Sequence, residues 1–268
     1  MKITKISNIL PYLLSSFVII VFSILMNNII EKNTRSKRDF SHINQEGILN
    51  VVTEYNLVNY CVSGDTITGL QYDLCKYIER RSGLTVNIFL ENNLEICVKK
   101  LENNTYDVIA HNIPITNENR KILSFTVPIA LGKQVLVQRQ PAPGDTVFFI
   151  RNQIDLAGKE VYVSQNSSSI LRLRNLSEEI AEPIYVKEME CTTEQLIYMV
   201  ASKEIDYAVL DKELAMKNSV FFPEIDIETD ISFTQLQAWA VRKTSPVLLD
   251  SLNVWISDFK NNVKKSNK

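Results

Sequence analysis

Apolar and polar positions divide the chain into three kinds of segment. Residues 6–30 carry no charged side chain, and 9–26 are the most densely apolar part. At roughly 1.5 Å of helical rise per residue, that stretch is long enough to cross a hydrocarbon core of about 30 Å. It is apolar on every face, which is not the pattern of a helix on the surface of a globule. Residues 31–45 are polar and charged and read as a linker. From residue 46 onward, short apolar runs alternate with stretches of helical period.

In the first half of that body, 47–53 is an apolar strand and 69–81 a helix with Leu70, Leu74, Tyr77 and Ile78 on one face. Gly83 stops this helix. A strand at 85–90, a helix at 92–102 with Leu94, Val98 and Leu101 inward, and a strand at 107–110 come next. After a strand at 135–139 and the break Pro141-Ala-Pro-Gly144, the alternation restarts. Strands at 159–164, 184–186 and 207–210 alternate with helices at 167–176 and 193–201. A strand at 237–243 and a helix at 246–261, with Leu248, Leu252 and Trp255 on one face, end the pattern. Such alternation implies two mostly parallel sheets covered by helices on both faces. Leu101-Glu-Asn-Asn-Thr-Tyr-Asp107 echoes Val200-Ala-Ser-Lys-Glu-Ile-Asp206, as two similar lobes would.

The fold class expected is therefore α/β, with two open mixed sheets joined at a hinge and one transmembrane helix ahead of them. The domains expected are 1–30 for the membrane segment, 31–45 for the linker, 46–138 with 237–268 for lobe 1, and 139–236 for lobe 2. Ligands of α/β sheets bind at the carboxyl ends of strands, so two such lobes make a cleft that closes on its ligand.

Charge and rare residues narrow the function. Lys2 and Lys5 favour a cytoplasmic N-terminus, whereas Lys32, Arg35, Lys37 and Arg38 at the other end of the apolar segment oppose it. The apolar segment leads into no small-x-small cleavage site, so an uncleaved signal-anchor is the reading, with a cleaved signal peptide as the alternative. The expected location is the inner membrane, single-pass, with the body in the periplasm. Residues 41–268 hold 23 Lys+Arg against 29 Asp+Glu. That acidic body has no basic patch and argues against nucleic acid as partner. The 7 glycines form no phosphate-binding loop. Cys61, Cys75, Cys97 and Cys191 lack metal-ligand spacing. Cys75 and Cys97 read as buried thiols; an exported body permits one disulfide, with partners unassigned. The two histidines, His42 and His111, complete no catalytic motif. No enzyme activity, metal or cofactor is expected.

One run invites a binding role: Asp107-Val-Ile-Ala-His-Asn-Ile-Pro-Ile-Thr116-Asn-Glu-Asn-Arg120, succeeded by Phe125-Thr-Val-Pro128. A guanidinium on a short helix beside strand-end amides suits bidentate capture of a carboxylate. A surface arginine at a helix start is the plain alternative. Taken with Gly47-Ile-Leu-Asn-Val, Gly69-Leu-Gln-Tyr-Asp-Leu and Ile205-Asp-Tyr-Ala-Val-Leu-Asp211, the order from about residue 46 to 262 resembles the bacterial extracellular solute-binding proteins of family 3, whose fold is the type 2 periplasmic-binding-protein fold. Within that family it is most similar to the non-catalytic N-terminal module of membrane-bound lytic murein transglycosylases of the F type. Phe222-Pro-Glu-Ile-Asp and Trp239-Ala-Val-Arg-Lys point the same way.

The resemblance implies a site. Arg120, with Thr116 and Asn112, would meet a ligand carboxylate, and Asp211 on the other lobe a ligand ammonium. Asp211 also suits an N-cap for the residues after it. Ser167 and Ser168, at a helix start, would contact the carboxylate or simply cap the helix. Glu54 and Tyr55, after the first strand, would touch the ligand side chain. His111 reads as structural or as a further contact. This sequence departs from the family pattern in one respect: Asn119 stands where the arginine is usual, and Arg120 comes one residue later. One residue turns a helical side chain by about 100°. The implied function is capture of an amino acid or small, possibly cell-wall-derived, peptide, feeding a membrane permease. The alternative is a sensor module acting on a cell-wall enzyme; an orphan murein transglycosylase is the least favoured reading.

Overall fold

The computed structural model describes residues 19–23, 38–144 and 147–266. It divides into two units, residues 1–38 and 39–268. The membrane segment expected at 1–30 lies outside the described residues apart from Ile19 to Ser23, which are helical and exposed. Among the described residues, no helix is long and apolar enough to cross a membrane.

In the second unit, a short helix α1 (Phe40–Glu46) precedes the first strand. It replaces the last part of the expected linker. Asp39 caps it, accepting from the Phe40 amide at 2.8 Å, and also accepts from the Leu248 amide at 2.7 Å. One carboxylate thus fixes the start of the body to its final helix, and Phe40 packs on Trp255.

The first sheet contains β1 (Ile48–Thr53), β4 (Thr85–Leu90), β5 (Val108–Pro114), β6 (Leu123–Phe125), β7 (Ala130–Gly132) and β13 (Gln235–Arg242). Its order is β4-β1-β5-β13-β6, with β7 on β13. β4, β1 and β5 run parallel, and β13 is antiparallel to β5. Helices α2 (Leu70–Ser82) and α8 (Pro246–Ser266) cover one face, and α3 (Leu94–Glu102) the other. Gly83, left-handed at φ 76, ends α2 as expected. The hairpin β2 (Cys61–Ser63) and β3 (Thr66–Thr68) and the short helix α4 (Asn117–Ile122) decorate this lobe.

The second sheet has the order β10-β9-β11-β8-β12, built from β8 (Gln134–Arg139), β9 (Glu160–Ser164), β10 (Tyr185–Met189), β11 (Tyr207–Asp211) and β12 (Ile225–Asp230). β9, β10 and β11 are parallel; β8 is antiparallel to β11 and to β12. Helices α6 (Thr193–Ala201) and α7 (Lys212–Ser219) pack on one face and α5 (Ser169–Ile180) on the other. The reading that left 135–138 in lobe 1 is corrected by the pairing: β8 belongs to the second sheet, and the chain crosses at Lys133 and again at 231–234. An apolar strand buried on both faces gives no sign of which sheet it joins.

The echo around Asp107 and Asp206 has a structural cause. Arg242 on β13 binds Asp107 at 3.1 Å and donates to the Leu101 and Tyr106 carbonyls. Arg139 on β8 binds Asp206 at 2.6 Å and donates to the Val200 and Ile205 carbonyls. In each lobe an arginine of an antiparallel strand locks the turn between a helix and the next parallel strand.

Candidate functional site

All six parallel strands end at one cleft. The residues at those ends line it: Glu54 after β1, Glu91 after β4, His111 and Asn112 in β5, Gln165 after β9, Glu190 after β10 and Asp211 ending β11. The cleft measures about 560 Å³, within the roughly 300–1,000 Å³ of small-molecule sites.

The lobe-1 wall is a hydrogen-bonded amide network. Asn56 turns the loop after β1 by accepting from the Val58 and Asn59 amides at 3.0 and 2.8 Å. The loop then stoppers α2, whose Leu70 and Gln71 amides donate to the Val58 and Asn59 carbonyls. Gly69 is required there, because a Cβ would stand 2.3 Å from the Asn59 carbonyl oxygen. Gln71 accepts from Trp239 Nε1 at 2.5 Å and donates to Asn112 at 2.8 Å. Asn112 donates to Asn59 at 3.3 Å, and Asn59 to Glu54 at 2.8 Å.

Glu54 and His111 form an ion pair at 3.2 Å, with His111 buried. Burial alone would push the imidazole down. The Glu54 charge and the hydrogen bonds to Cys97 and Glu54 together outweigh it, and His111 is raised to about 10. Burial likewise pushes Glu54 up, but His111 and the hydrogen bonds from Asn59 and Asn56 hold it below its ordinary value. The strand expected to end at Ala110 therefore runs on through His111 and Asn112 to Pro114, and its polar residues belong to the cleft wall rather than to a turn.

Lobe 2 is less satisfied. Asp211 caps α7, accepting from the Glu213 amide at 2.9 Å, and accepts from Gln237 of lobe 1 at 3.3 Å. Burial raises its carboxyl above the ordinary aspartate value, against the opposing pull of these hydrogen bonds. Asp211 lies opposite Gln134 in the β11–β8 register. Gln134 is buried and donates to Ser168 at 3.1 Å, while its Oε1 has no partner among the described residues. Oε1 of Glu194, in the first turn of α6, is likewise buried without a partner among them.

Of the residues implied by sequence, the structure brings Glu54, Tyr55, Asn112, Ser167, Ser168 and Asp211 to the cleft. Thr116 and Arg120 are not among its lining residues. Thr116 caps α4 by accepting from the Asn119 amide at 3.1 Å, and Asn119 donates to the Pro114 carbonyl at 3.0 Å. Arg120, which the resemblance would set against a ligand carboxylate, is exposed, as the plain alternative has it. One residue along a helix rotates a side chain by about 100°, which accounts for the absence of Arg120 from the cleft lining. Sequence reading missed Gln134, Lys133, Gln237, Glu91, Glu190 and Glu194, which line the cleft through the crossings and the remaining strand ends. Glu91 carries a signal, since it stands directly beyond the largely apolar strand β4; Glu190, after the mixed strand β10, and the crossing residues carry no local signal. The four cysteines are free thiols, with Cys75 and Cys97 buried as expected.

Among the described residues, no group of His, Cys, Asp and Glu is arranged to hold a metal ion.

Comparison with known proteins agrees with this architecture. The chain is 28% identical over 228 residues to the membrane-bound lytic murein transglycosylase F of Desulfosudis oleivorans, covering 85% of this chain and 49% of that protein. It is 29% identical over 219 residues to the protein of the same name from Ectopseudomonas mendocina, covering 81% of this chain and 43% of that one. The chain thus spans about half the length of these curated relatives. Among solved structures, holo ArgBP from T. maritima superposes with a TM-score of 0.71 at 25% identity, covering 82% of this chain and 94% of that one. The L-arginine-bound AbpA of Streptococcus pneumoniae gives 0.71 at 17% identity, a likeness of fold alone, covering 85% and 95%. The model of the bacterial extracellular solute-binding proteins, family 3, matches residues 49–267, and the chain belongs to that family.

Proposed function

We propose that this chain captures an amino acid or small peptide outside the cytoplasm by closing its two lobes, while tethered to the membrane by its N-terminal segment. The observation that carries the reading is the convergence of six parallel strand ends, three from each lobe, on one cleft with a half-buried acid, Asp211. A carboxylate partly withdrawn from water without a cationic partner is destabilised, so a ligand ammonium is its natural complement. Ligands resting on Glu54, Tyr55 and Asn112 in one lobe and on Ser167, Ser168 and Asp211 in the other would hold the lobes together. Thermal unfolding of the chain against a panel of amino acids and murein peptides tests it, because a ligand of the folded state raises the midpoint by mass action. No rise with any compound would refute capture of this ligand class.

A second reading is favoured by the murein transglycosylases among its relatives. Here the same cleft senses a cell-wall peptide and closure regulates a partner enzyme. A shift confined to murein peptides, with none from free amino acids, would select it over supply to a permease. No catalytic step is proposed for this chain.

A further inference from the structure

We infer that the cleft selects positive charge and does not require a free α-carboxylate. The ligand class is then an organic cation whose carboxylate is blocked or absent: an amine, an amino-acid amide or the N-terminal end of a peptide. This rests on the binding reading above and deepens it.

Charge at the strand ends is the first observation. Four of the six parallel strands end in or run directly into a carboxylate facing the cleft, Glu54, Glu91, Glu190 and Asp211, and Glu194 joins them from α6. The cationic residues in the lining are His111 and Lys133, and both are engaged. His111 pairs with Glu54. Lys133 pairs with Asp230 at 2.5 Å, a carboxylate that also holds Lys212 at 3.2 Å. Among the described residues, no arginine lines the cleft.

The second observation is the unpartnered acceptor. Gln134 is 7% exposed, lines the cleft and leaves Oε1 without a hydrogen-bond partner among the described residues. Directly opposed residues of an antiparallel pair project to the same face, so this oxygen and the Asp211 carboxylate sit on one face of the sheet. Two acceptors side by side, one of them charged, call for a donor-rich cation.

The third is the state of the turn that would bind an anion. At the start of α5, the Ser167 amide donates to the Ser164 carbonyl at 3.1 Å, Ser169 to Ser167 Oγ at 3.2 Å and Ile170 to the Ser167 carbonyl at 3.2 Å. Ser168 Oγ accepts from Gln134. These three amides are spent within the protein, so a ligand carboxylate here would have to rely on the serine hydroxyls or displace existing bonds, beside an excess of negative charge.

Four probes separate the charges: L-lysine, L-lysinamide, cadaverine, and Nα,Nε-diacetyl-L-lysine, which keeps the carboxylate and loses both ammoniums. Their affinities for the whole chain are measured by calorimetry at pH 7. The expected result is that lysinamide and cadaverine bind within roughly threefold of lysine or tighter, and that diacetyl-lysine does not bind; a factor of ten is about 1.4 kcal/mol. Lysine binding about tenfold or more tightly than both would overturn the inference, as would binding of diacetyl-lysine. A variant guards the result: Arg120→Ala, at an exposed position, should leave the lysine affinity within about twofold. A loss for lysine but not for lysinamide would put the guanidinium on a ligand carboxylate and refute the proposal. If none of the four probes binds, the inference fails; a midpoint rise with neutral or acidic compounds in the wider panel would then leave the binding reading standing without it.

Discussion

Removal of Asp107 should cost far more stability than removal of its counterpart Asp206, although the two make the same kind of bond. Asp107 is fully buried and its partner Arg242 has a side chain 6% exposed, whereas Asp206 is 50% exposed against 7% for Arg139. In Asp107→Ala the Arg242 guanidinium is left buried without its carboxylate, and the Asn50 amide loses the acceptor it has at 3.0 Å. Breaking a buried pair by deleting one partner costs about 3–5 kcal/mol, and the orphaned amide places the variant at the upper end of that range. In Asp206→Ala, Arg139 keeps its bonds to the Val200 and Ile205 carbonyls at 3.0 and 2.8 Å. Water can also reach the half-exposed position, so a cost of about 1–2 kcal/mol is expected. Urea unfolding supplies the assay. Both tryptophans, Trp239 and Trp255, lie in the lobe-1 core, so their fluorescence reports lobe 1 while far-UV circular dichroism reports both lobes. Equal costs for the two variants, or less than about 1.5 kcal/mol for Asp107→Ala, would refute the argument from burial.

Two further perturbations test other parts of the structure. An alanine at Gly132 would place its Cβ 2.0 Å from Gln237 Nε2 and 2.3 Å from Cδ. The flexible amide would swing off Asp211, at a cost of about 1–2 kcal/mol, so Gly132→Ala should lower the melting midpoint, and an unchanged midpoint would show that the Gln237–Asp211 bond contributes nothing. His111 is raised from 6.5 to about 10, so its contribution to stability is fully present below pH 6.5 and is lost as pH rises through about 10. Melting midpoints across that window should fall more steeply in the native chain than in His111→Asn, and parallel slopes would contradict the assignment.

The regular elements were legible because their signals are local. The apolar face of α2 and its glycine stop can be read without knowing what packs against them. The echo of Asp107 in Asp206 was legible as a repeat, but its meaning was not. The arginines that explain it return on β13 and β8, 135 and 67 residues away. Sheet membership failed at β8 for the same reason, since burial on both faces looks alike in either lobe. α1 was missed because a seven-residue amphipathic turn capped by one aspartate resembles a polar linker. Placement at the cleft was legible for Asp211, which ends β11, and for Asn112 near the end of β5. It was illegible at Arg120, where a single extra residue on a short helix decides which way a side chain faces.

The two walls of the cleft play unequal parts. In lobe 1, the chain of bonds from Trp239 through Gln71, Asn112, Asn59 and Glu54 to His111 satisfies nearly every polar group it includes. Such a network is rigid, because each member loses a buried bond if it moves. In lobe 2, Asp211, Gln134 and Glu194 retain unspent acceptor capacity. A ligand donor therefore gains most from lobe 2 and finds a preformed surface in lobe 1. Asp211 also accepts from Gln237 across the lobes, so a cation reaching that carboxylate competes with a bond that already spans the hinge. If the lobes close on such a ligand, the energy available is the difference between those two partners for one half-buried charge, and a charged donor outweighs a neutral amide by about twofold in strength. On the proposed reading, positive charge, rather than ligand size, is the property to which the hinge would respond.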